Sequence, residues 1–214
     1  MSTKVKGKKP DISSEDLKDQ ILEVARRHFA LYGYHGTSLK NIAEDAKVAN
    51  SLINYHFKDK AGLLEECMKP FAVKQVETIE RILGEPRNPD DLKVRLELFV
   101  EEMLSSVRTN YHMHLIIDRE AACGNPAILK IFESTLLKSF QATVDFFKSA
   151  QKNGLIGEEL DPMIVAALLY TSTSDAGRKD LLAKTFYDVS LEQPEWRKKF
   201  SQHVVTLFLS GVMK

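Results

Sequence analysis

The side chains best suited to chemistry lie in segment 50–57, where amides and a phenol are closely spaced. If the segment is helical, Ile53 and Phe57 share an apolar face because they are four positions apart. The hydrogen-bonding side chains then fall on the other face, at Asn50, Ser51, Asn54 and Tyr55. An Asn amide can form two hydrogen bonds with N6 and N7 of adenine, which discriminates by roughly 1–3 kcal/mol per pair. The exposed face therefore predicts contacts to DNA base edges.

Two short helices joined by a tight turn are needed to present that face. Thr37 and Ser38 are typical of a helix start, Ile42 and Ala43 give the next helix an apolar side, and 47–49 interrupts it. In a helix-turn-helix the second helix enters the major groove and the first crosses the backbone. The residues predicted to contact DNA are Thr37, Ser38, Asn50, Ser51, Leu52, Asn54, Tyr55, His56 and Lys60.

A purely structural interpretation of the same side chains is also open. Asn50 would then cap its helix, Tyr55 and His56 would pack against the preceding helix, and Lys60 would be solvated. The cap, the apolar pair, the turn and the basic residue nevertheless follow one another in the order that a DNA-binding motif needs, which favours that motif.

The run from Ile21 to Leu64 resembles the DNA-binding domain of the TetR family of bacterial transcriptional regulators (TetR/AcrR-like). The resemblance is carried by Ala25, Phe29, Gly33, Gly36, Thr37, Ile42, Ala43, Val48, Tyr55, His56, Phe57, Lys60 and Leu64. It implies a three-helix head with a recognition helix over 50–57 and a ligand-responsive body. Two positions depart from the family pattern. Lys47 stands at a turn position where relatives often have Gly, and a left-handed Lys47 would be strained by about 1–2 kcal/mol. Asn54 replaces a frequent aromatic and should alter base preference.

Charge is unevenly placed along the 214 residues, although the formal net charge is zero. Residues 1–60 carry 11 basic and 8 acidic residues, and the remainder carries 19 and 22. Four lysines precede Pro10 in a segment with few apolar residues, which predicts a flexible arm that contacts DNA phosphates or a DNA groove. The alternative is a tail that only increases solubility. The predicted division is a basic flexible arm over 1–12, a helix-turn-helix DNA-binding domain over 13–60, and an effector-binding and dimerisation domain over 61–214.

Helical periodicity continues beyond the head, and strand patterns are nearly absent. Helices are predicted over 61–83, 92–107, 111–123, 127–152, 161 to about 171 or beyond, and 194 to the C-terminus. The predicted fold is all-α: an N-terminal helix-turn-helix head of three helices plus a larger C-terminal helical bundle, about nine helices in total. A membrane-spanning run and a signal peptide are both missing, and Cys67 and Cys123 have no CxxC partner. These features predict a cytoplasmic protein with no membrane partner.

Aromatic and Met residues of the middle helices are suited to lining a cavity, as effector pockets of the resembling family do, or to filling the core. The predicted pocket residues are Phe99, Met103, Leu115, Asp118, Arg119, Phe132, Phe140 and Tyr170. The small-molecule effector stays unknown, because no feature of the sequence identifies it.

The last two predicted helices combine apolar and small residues at steps of three and four. In the resembling family the last two helices of each subunit form a four-helix bundle across a two-fold axis. That implies a homodimer interface with Met163, Ala167, Trp196, Phe200, His203, Leu207 and Gly211; packing within the monomer is the alternative. Two recognition helices about 34 Å apart would read a pseudo-palindrome. The predicted function is thus a ligand-responsive repressor that binds a double-stranded DNA operator.

A competing chemistry lies around His114 and Asp118, which are four positions apart and have Glu120 and Cys123 nearby. A metal site or a small hydrolytic centre is conceivable there. HExxH, GxSxG, a phosphate loop and GxGxxG are all absent from the sequence. We therefore predict no catalytic residue, no metal and no cofactor. A metal-dependent helical protein or enzyme and a non-specific architectural DNA-binding protein stay open as alternatives.

Overall fold

The structure, a computed structural model, describes residues 14–133 and 137–212. Those residues form eleven helices and no strand. The helices are α1 (Ser14–Gly36), α2 (Leu39–Asp45), α3 (Asn50–Phe57), α4 (Lys60–Ile82), α5 (Pro89–Thr109), α6 (Tyr111–Ala122), α7 (Pro126–Ile131), α8 (Leu137–Lys152), α9 (Pro162–Arg178), α10 (Asp180–Tyr187) and α11 (Pro194–Val212). The all-α prediction is confirmed. The basic arm predicted over 1–12 lies outside the described residues.

The chain divides into two compact units, the first ending at Cys67 and the second beginning at Met68. The predicted division lay at residue 60, so the first unit also includes the first two turns of α4. Helix α4 is continuous across the division and contains Pro70, which provides no backbone N–H for its helical hydrogen bond.

The first unit is built around side chains that the helical spacing of its sequence brings to one side. Helix α1 packs on α2, and α2 packs on α3. The buried apolar residues of this unit are Ile21, Leu22, Val24, Ala25, Phe29, Ala30, Ile42, Ala43, Ala46, Ile53, Phe57, Leu63, Leu64 and Cys67. The thiol of Cys67 lies 3.8 Å from the Leu22 carbonyl oxygen, and burial raises its pKa to about 12.

Polar contacts between helices also hold the first unit together, besides its core. Gln20 Nε2 donates to the carbonyl of Ala46 at 2.9 Å and so ties α1 to the end of α2. Lys18 and Glu66 form an ion pair at 3.0 Å between α1 and α4. Within α1 the backbone of Gly33 has φ 70° and ψ 176°, which breaks the regular helix before its last three residues. A positive φ is accessible to Gly at little cost.

In the second unit α5 is the central helix, because it packs on α6, α9 and α11. The unit's core also takes side chains from the end of α4 and from α8, among them Ile79, Phe99, Phe147, Leu169 and Val205. Gly177 on α9 permits a close approach to α5, since a Cβ there would lie 2.6 Å from Val107. No helix among the described residues has the length and apolar character needed to cross a lipid bilayer.

The prediction of about nine helices was too low. The single helix predicted over 127–152 is two helices, α7 and α8, and α10 was not predicted at all. Lys179 ends α9 and also precedes α10 without a Gly or Pro at the break, so the sequence lacked its usual signal there. No residue of α10 is buried, and Leu181, Leu182, Phe186 and Tyr187 are all exposed.

Candidate nucleic-acid interface and ligand cavity

The outer face of α3 carries the polar side chains that the sequence placed there. Asn50, Ser51 and Asn54 are exposed, and Tyr55 is 82% exposed. Ile53 and Phe57 are buried beneath them and hold the helix on the unit's core. The face is therefore available to a ligand as large as a DNA duplex.

The start of α3 does not match the purely structural interpretation, in which Asn50 caps the helix. Ala49, not Asn50, is the N-cap residue, and it makes no side-chain hydrogen bond to the helix end. The first N–H groups of a helix lack intrahelical partners and attract anions such as phosphate. Tyr55 does not pack against the preceding helix; its ring instead meets the half-buried ring of His56 edge-on, with centroids 5.2 Å apart.

The adjacent hydroxyls of Thr37 and Ser38 have different roles. Ser38 is exposed and accepts a hydrogen bond from the backbone N–H of Asn41 at 3.1 Å, so the predicted N-cap is confirmed for Ser38. Thr37 is 3% exposed, and its hydroxyl donates to the carbonyls of His28 and Gly33, at 3.0 and 2.7 Å. The hydroxyl of Thr37, which was predicted to contact DNA, is thus engaged inside the unit.

Lys60 is half-buried at the start of α4. Its ammonium donates to the Thr37 carbonyl at 3.0 Å and lies 4.5 Å from the centre of the Tyr34 ring. Both contacts orient the group, and a Lys ammonium has three donors. Lys60 is therefore neither simply solvated nor wholly free for phosphate.

A strained turn connects α3 to α4. Lys58 has φ 66° and ψ −59°, and the N–H of Asp59 donates to the carbonyl of Phe57 at 2.8 Å, which makes Lys58 the centre of a γ-turn of the rare positive-φ kind. Asp59 then accepts from the N–H of Gly62 at 2.8 Å. A Cβ on Gly62 would lie 2.3 Å from the Phe57 carbonyl oxygen, so only Gly fits. These contacts set the direction in which the chain leaves α3.

Two lysines that flank α3 were not among the predicted DNA contacts. Lys47 and Lys58 are exposed, and neither forms an ion pair within residues 14–133 and 137–212. Lys47 has φ 53°, so the strain foreseen for a left-handed Lys47 is present. Only their positions in the sequence could have identified them, since one lysine lies just before the polar helix and the other just after it.

The second unit contains a cavity of about 310 Å³. Its lining is mainly apolar, and the residues come from α4, α5, α6, the α7–α8 region and α9: Gln75, Met103, His114, Ile117, Asp118, Phe132, Leu137, Phe140, Ala167, Tyr170, Thr171 and Ser174. Ligand sites of proteins occupy roughly 300–1,000 Å³, so this volume suits a small ligand.

Five of the eight predicted pocket residues line this cavity, namely Met103, Asp118, Phe132, Phe140 and Tyr170. Phe99, Leu115 and Arg119, which were also predicted, are not among its described lining residues. Phe99 is fully buried, and its ring packs against Tyr170 with centroids 5.4 Å apart. Helix α6 presents His114, Ile117 and Asp118 to the cavity, one position before Leu115 and Arg119.

A polar cluster, Gln75, Ser106 and His114, lies at one side of the cavity. The hydroxyl of Ser106 donates to Gln75 Oε1 at 3.5 Å and lies 3.4 Å from His114 Nε2. The pKa of His114 is lowered to about 4, chiefly because the ring is buried; the Asp118 charge raises this pKa and the Arg178 charge lowers it. His114 is therefore a neutral imidazole near pH 7.

The His114 and Asp118 pair does not have the arrangement of a metal site. Asp118 is bound by Arg178 at 2.6 Å, and Arg178 also pairs with Asp175 at 3.5 Å. Over the part of the chain that the structure describes, no three His, Cys, Asp or Glu side chains are grouped to hold a metal ion.

A second apolar surface lies on α9 and α11. Ile164, Leu168 and Leu207 are 60%, 61% and 75% exposed, and they line a groove of about 500 Å³. All seven residues predicted for a dimer interface are exposed or half-buried: Met163, Ala167, Trp196, Phe200, His203, Leu207 and Gly211. Ala167 also lines the cavity, and Trp196 and Phe200 pack partly on the core.

Residues 21–67 match the family model described as "Bacterial regulatory proteins, tetR family". Among curated proteins, the chain is 30% identical over 121 residues to "Probable HTH-type transcriptional regulator YttP" of Bacillus subtilis (strain 168). That match covers 56% of this chain and 58% of the relative, so it spans little more than half of the relative's length.

Two solved structures resemble this one over nearly the whole chain. The ketosteroid transcriptional regulator KstR2 of Mycobacterium tuberculosis has a TM-score of 0.72 at 20% identity, covering 92% of this chain and 95% of that chain. The transcriptional regulator FadR of Bacillus subtilis, in complex with stearoyl-CoA, has a TM-score of 0.70 at 20% identity, covering 90% and 98%. At this identity the likeness concerns the fold.

Proposed function

We propose that this chain, which belongs to the TetR family of bacterial transcriptional regulators, represses transcription as a homodimer bound to a pseudo-palindromic operator, and that a small molecule in the body cavity controls its DNA binding. The observation that carries the proposal is the exposed polar face of α3. Its position directly after α2 and a tight turn is that of a helix that enters the major groove.

The side chains on this face supply both kinds of DNA contact. Asn50 and Asn54 present amides suited to adenine, and each good pair discriminates by about 1–3 kcal/mol. Tyr55, Lys47 and Lys58 are suited to phosphate contacts, which position the protein without reading sequence. Binding should weaken with rising salt, because phosphate neutralisation releases counterions.

The apolar surface on α9 and α11 supports the homodimer. Exposed contiguous apolar patches on soluble proteins commonly mark interfaces, and Ile164, Leu168 and Leu207 form such a patch. A homodimer formed through this surface would have two recognition helices for one duplex. The second contact then becomes effectively intramolecular, which raises affinity without new contacts.

The cavity supports control by a ligand. It is mainly apolar, and the two similar structures are of a ketosteroid regulator and of a regulator bound to stearoyl-CoA. Gln75, which lines the cavity, lies on α4, and the same helix begins in the first unit at Lys60. A ligand shifts the protein between states only by its difference in affinity for them.

The test is selection of bound sequences from a random DNA duplex pool at a fixed salt concentration. The full chain is compared with Asn54→Ala, Tyr55→Ala and the control Gln141→Ala, which removes an exposed amide of α8. We expect the parent chain and the control to select the same pseudo-palindrome. Asn54→Ala should change the preferred base at one position of each half-site, and Tyr55→Ala should weaken binding to all sequences alike.

Recovery of a random set by the parent chain would reject sequence-specific regulation in favour of non-specific DNA binding. The dimer is tested separately by sedimentation of Leu207→Glu, which places a charge on the α9 and α11 surface. The variant should sediment as a folded monomer and lose most of its operator affinity, and an unchanged mass would reject this surface as the interface.

A further inference from the structure

We propose that the ligand of the body cavity is an uncharged, mainly apolar molecule with one hydroxyl group, and that Gln75 and His114 bind this hydroxyl while Ser106 orients them. The inference rests on the proposed function, in which the cavity is the effector site. It goes further by naming the chemical class of the effector and the side chains that recognise it.

The polar cluster is incompletely satisfied by the protein. Its contacts, from Ser106 to Gln75 and His114, are 3.5 and 3.4 Å long, beyond the usual hydrogen-bond optimum. Among the described residues, the Gln75 amide donates only to the sulfur of Met103, at 3.4 Å. A thioether is a weak acceptor, so an oxygen atom of a ligand would be a better partner for Gln75.

The direction of these contacts selects a hydroxyl. Ser106 donates to Gln75 Oε1, so its oxygen is free to accept from His114 Nε2–H. A neutral imidazole with a proton on Nε2 has an acceptor at Nδ1. Gln75 then provides a donor and His114 an acceptor, and a hydroxyl group satisfies both because it accepts and donates.

The charges around the cavity disfavour an anion. No Lys or Arg is among the described lining residues, and His114 is neutral because burial lowers its pKa. The charged side chain in the lining is Asp118, a carboxylate already bound by Arg178. A ligand carboxylate would lose its hydration beside Asp118 without gaining a free cation, which is unfavourable.

The rest of the lining fits an apolar chain or ring. Met103, Ile117, Phe132, Leu137 and Phe140 form the apolar part of the remaining wall, and Tyr170, Thr171 and Ser174 add hydroxyl groups to it. Burial of apolar surface drives binding in such sites, and the single polar group fixes orientation.

The experiment compares decan-1-ol with decanoate, two ten-carbon probes that differ in the head group, by calorimetric titration of the full chain at pH 7.5. Decan-1-ol should bind at least tenfold more tightly. Gln75→Leu should reduce the affinity for decan-1-ol at least fivefold and leave that for decanoate nearly unchanged. Ser106→Ala should lower the preference for the alcohol, whereas Ser105→Ala, its half-buried neighbour, should not.

Equal or tighter binding of decanoate, or an unchanged alcohol preference in both Gln75→Leu and Ser106→Ala, would overturn the inference. Absence of binding by both probes would also overturn it. Thermal unfolding of each variant shows whether a loss of affinity reflects loss of fold. The same preparations are tested in the duplex selection, so a chain that selects its operator but fails the probe test refutes the ligand class while the proposed function stands.

Discussion

Replacement of Thr37 by Val tests whether this residue acts inside the first unit. The Thr37 hydroxyl donates to the carbonyls of His28 and Gly33, and Val keeps the shape while it removes the donor. A lost hydrogen bond costs about 0.5–1.5 kcal/mol, and a buried polar group without a partner costs about 1–3 kcal/mol. We therefore expect Thr37→Val to lower the free energy of unfolding by about 2 kcal/mol, which corresponds to roughly 4–8 °C in Tm for a chain of this size.

The assay is thermal and urea unfolding followed by circular dichroism, with Thr37→Ser and Ser38→Ala as controls. Thr37→Ser keeps the donor and should retain most of the stability. Ser38→Ala should cost about 1 kcal/mol, because it removes the N-cap of α2. Below the melting range, Thr37→Val should bind the selected operator with unchanged sequence preference. A stable Thr37→Val that loses operator affinity more than tenfold would refute this reasoning and restore Thr37 as a DNA contact.

Three further predictions follow from single contacts. Gly62→Ala forces a Cβ against the Phe57 carbonyl and should lower the free energy of unfolding by about 1–3 kcal/mol. The control Glu65→Ala changes an exposed residue of the same helix and should alter this free energy by less than about 0.5 kcal/mol. Equal effects of the two substitutions in urea unfolding would contradict the clash. Tyr170→Phe should leave the free energy of unfolding unchanged or raise it by up to about 1 kcal/mol, because the buried hydroxyl has no well-aligned partner among the described residues. A clear loss of stability in urea unfolding would show that the hydroxyl is bonded. His114 has a folded pKa of about 4 against 6.5 when unfolded, so the unfolded chain binds the proton first and stability is lost as pH falls through this window. Urea unfolding should therefore show His114→Gln losing about 3 kcal/mol less than the parent between pH 7 and pH 4, and parallel pH profiles would contradict the neutral buried imidazole.

The helix-turn-helix was predictable because its signals are local. The cap at Ser38 and the apolar pair Ile53 and Phe57 depend on neighbours within a few residues, and the structure contains all three as expected. Which of two adjacent hydroxyls turns inward was not predictable. Thr37 and Ser38 have the same chemistry, and only the path of the chain after Gly33 decides that Thr37 meets the end of α1.

The cavity was predicted less well because it depends on the rotation of whole helices. Neighbouring positions on a helix are separated by about 100°, so choosing Leu115 in place of His114 misplaced that part of the lining by one position, although Asp118, which was also predicted, does line the cavity. Periodicity identifies an apolar face but not which neighbour covers it. The aromatic pattern likewise could not separate Phe99, which is in the core, from Phe140, which lines the cavity.

Because Cys67 is buried, the rate at which its thiol is alkylated reports how often the first unit opens. The chain has two cysteines, and Cys123 is exposed while Cys67 is 1% exposed with its pKa raised by burial. In a Cys123→Ser chain, an alkylating reagent therefore meets a thiol only during those moments when the first unit unfolds. Because a ligand that binds only the folded state makes such openings rarer, operator DNA should slow the alkylation of Cys67 in proportion to its occupancy.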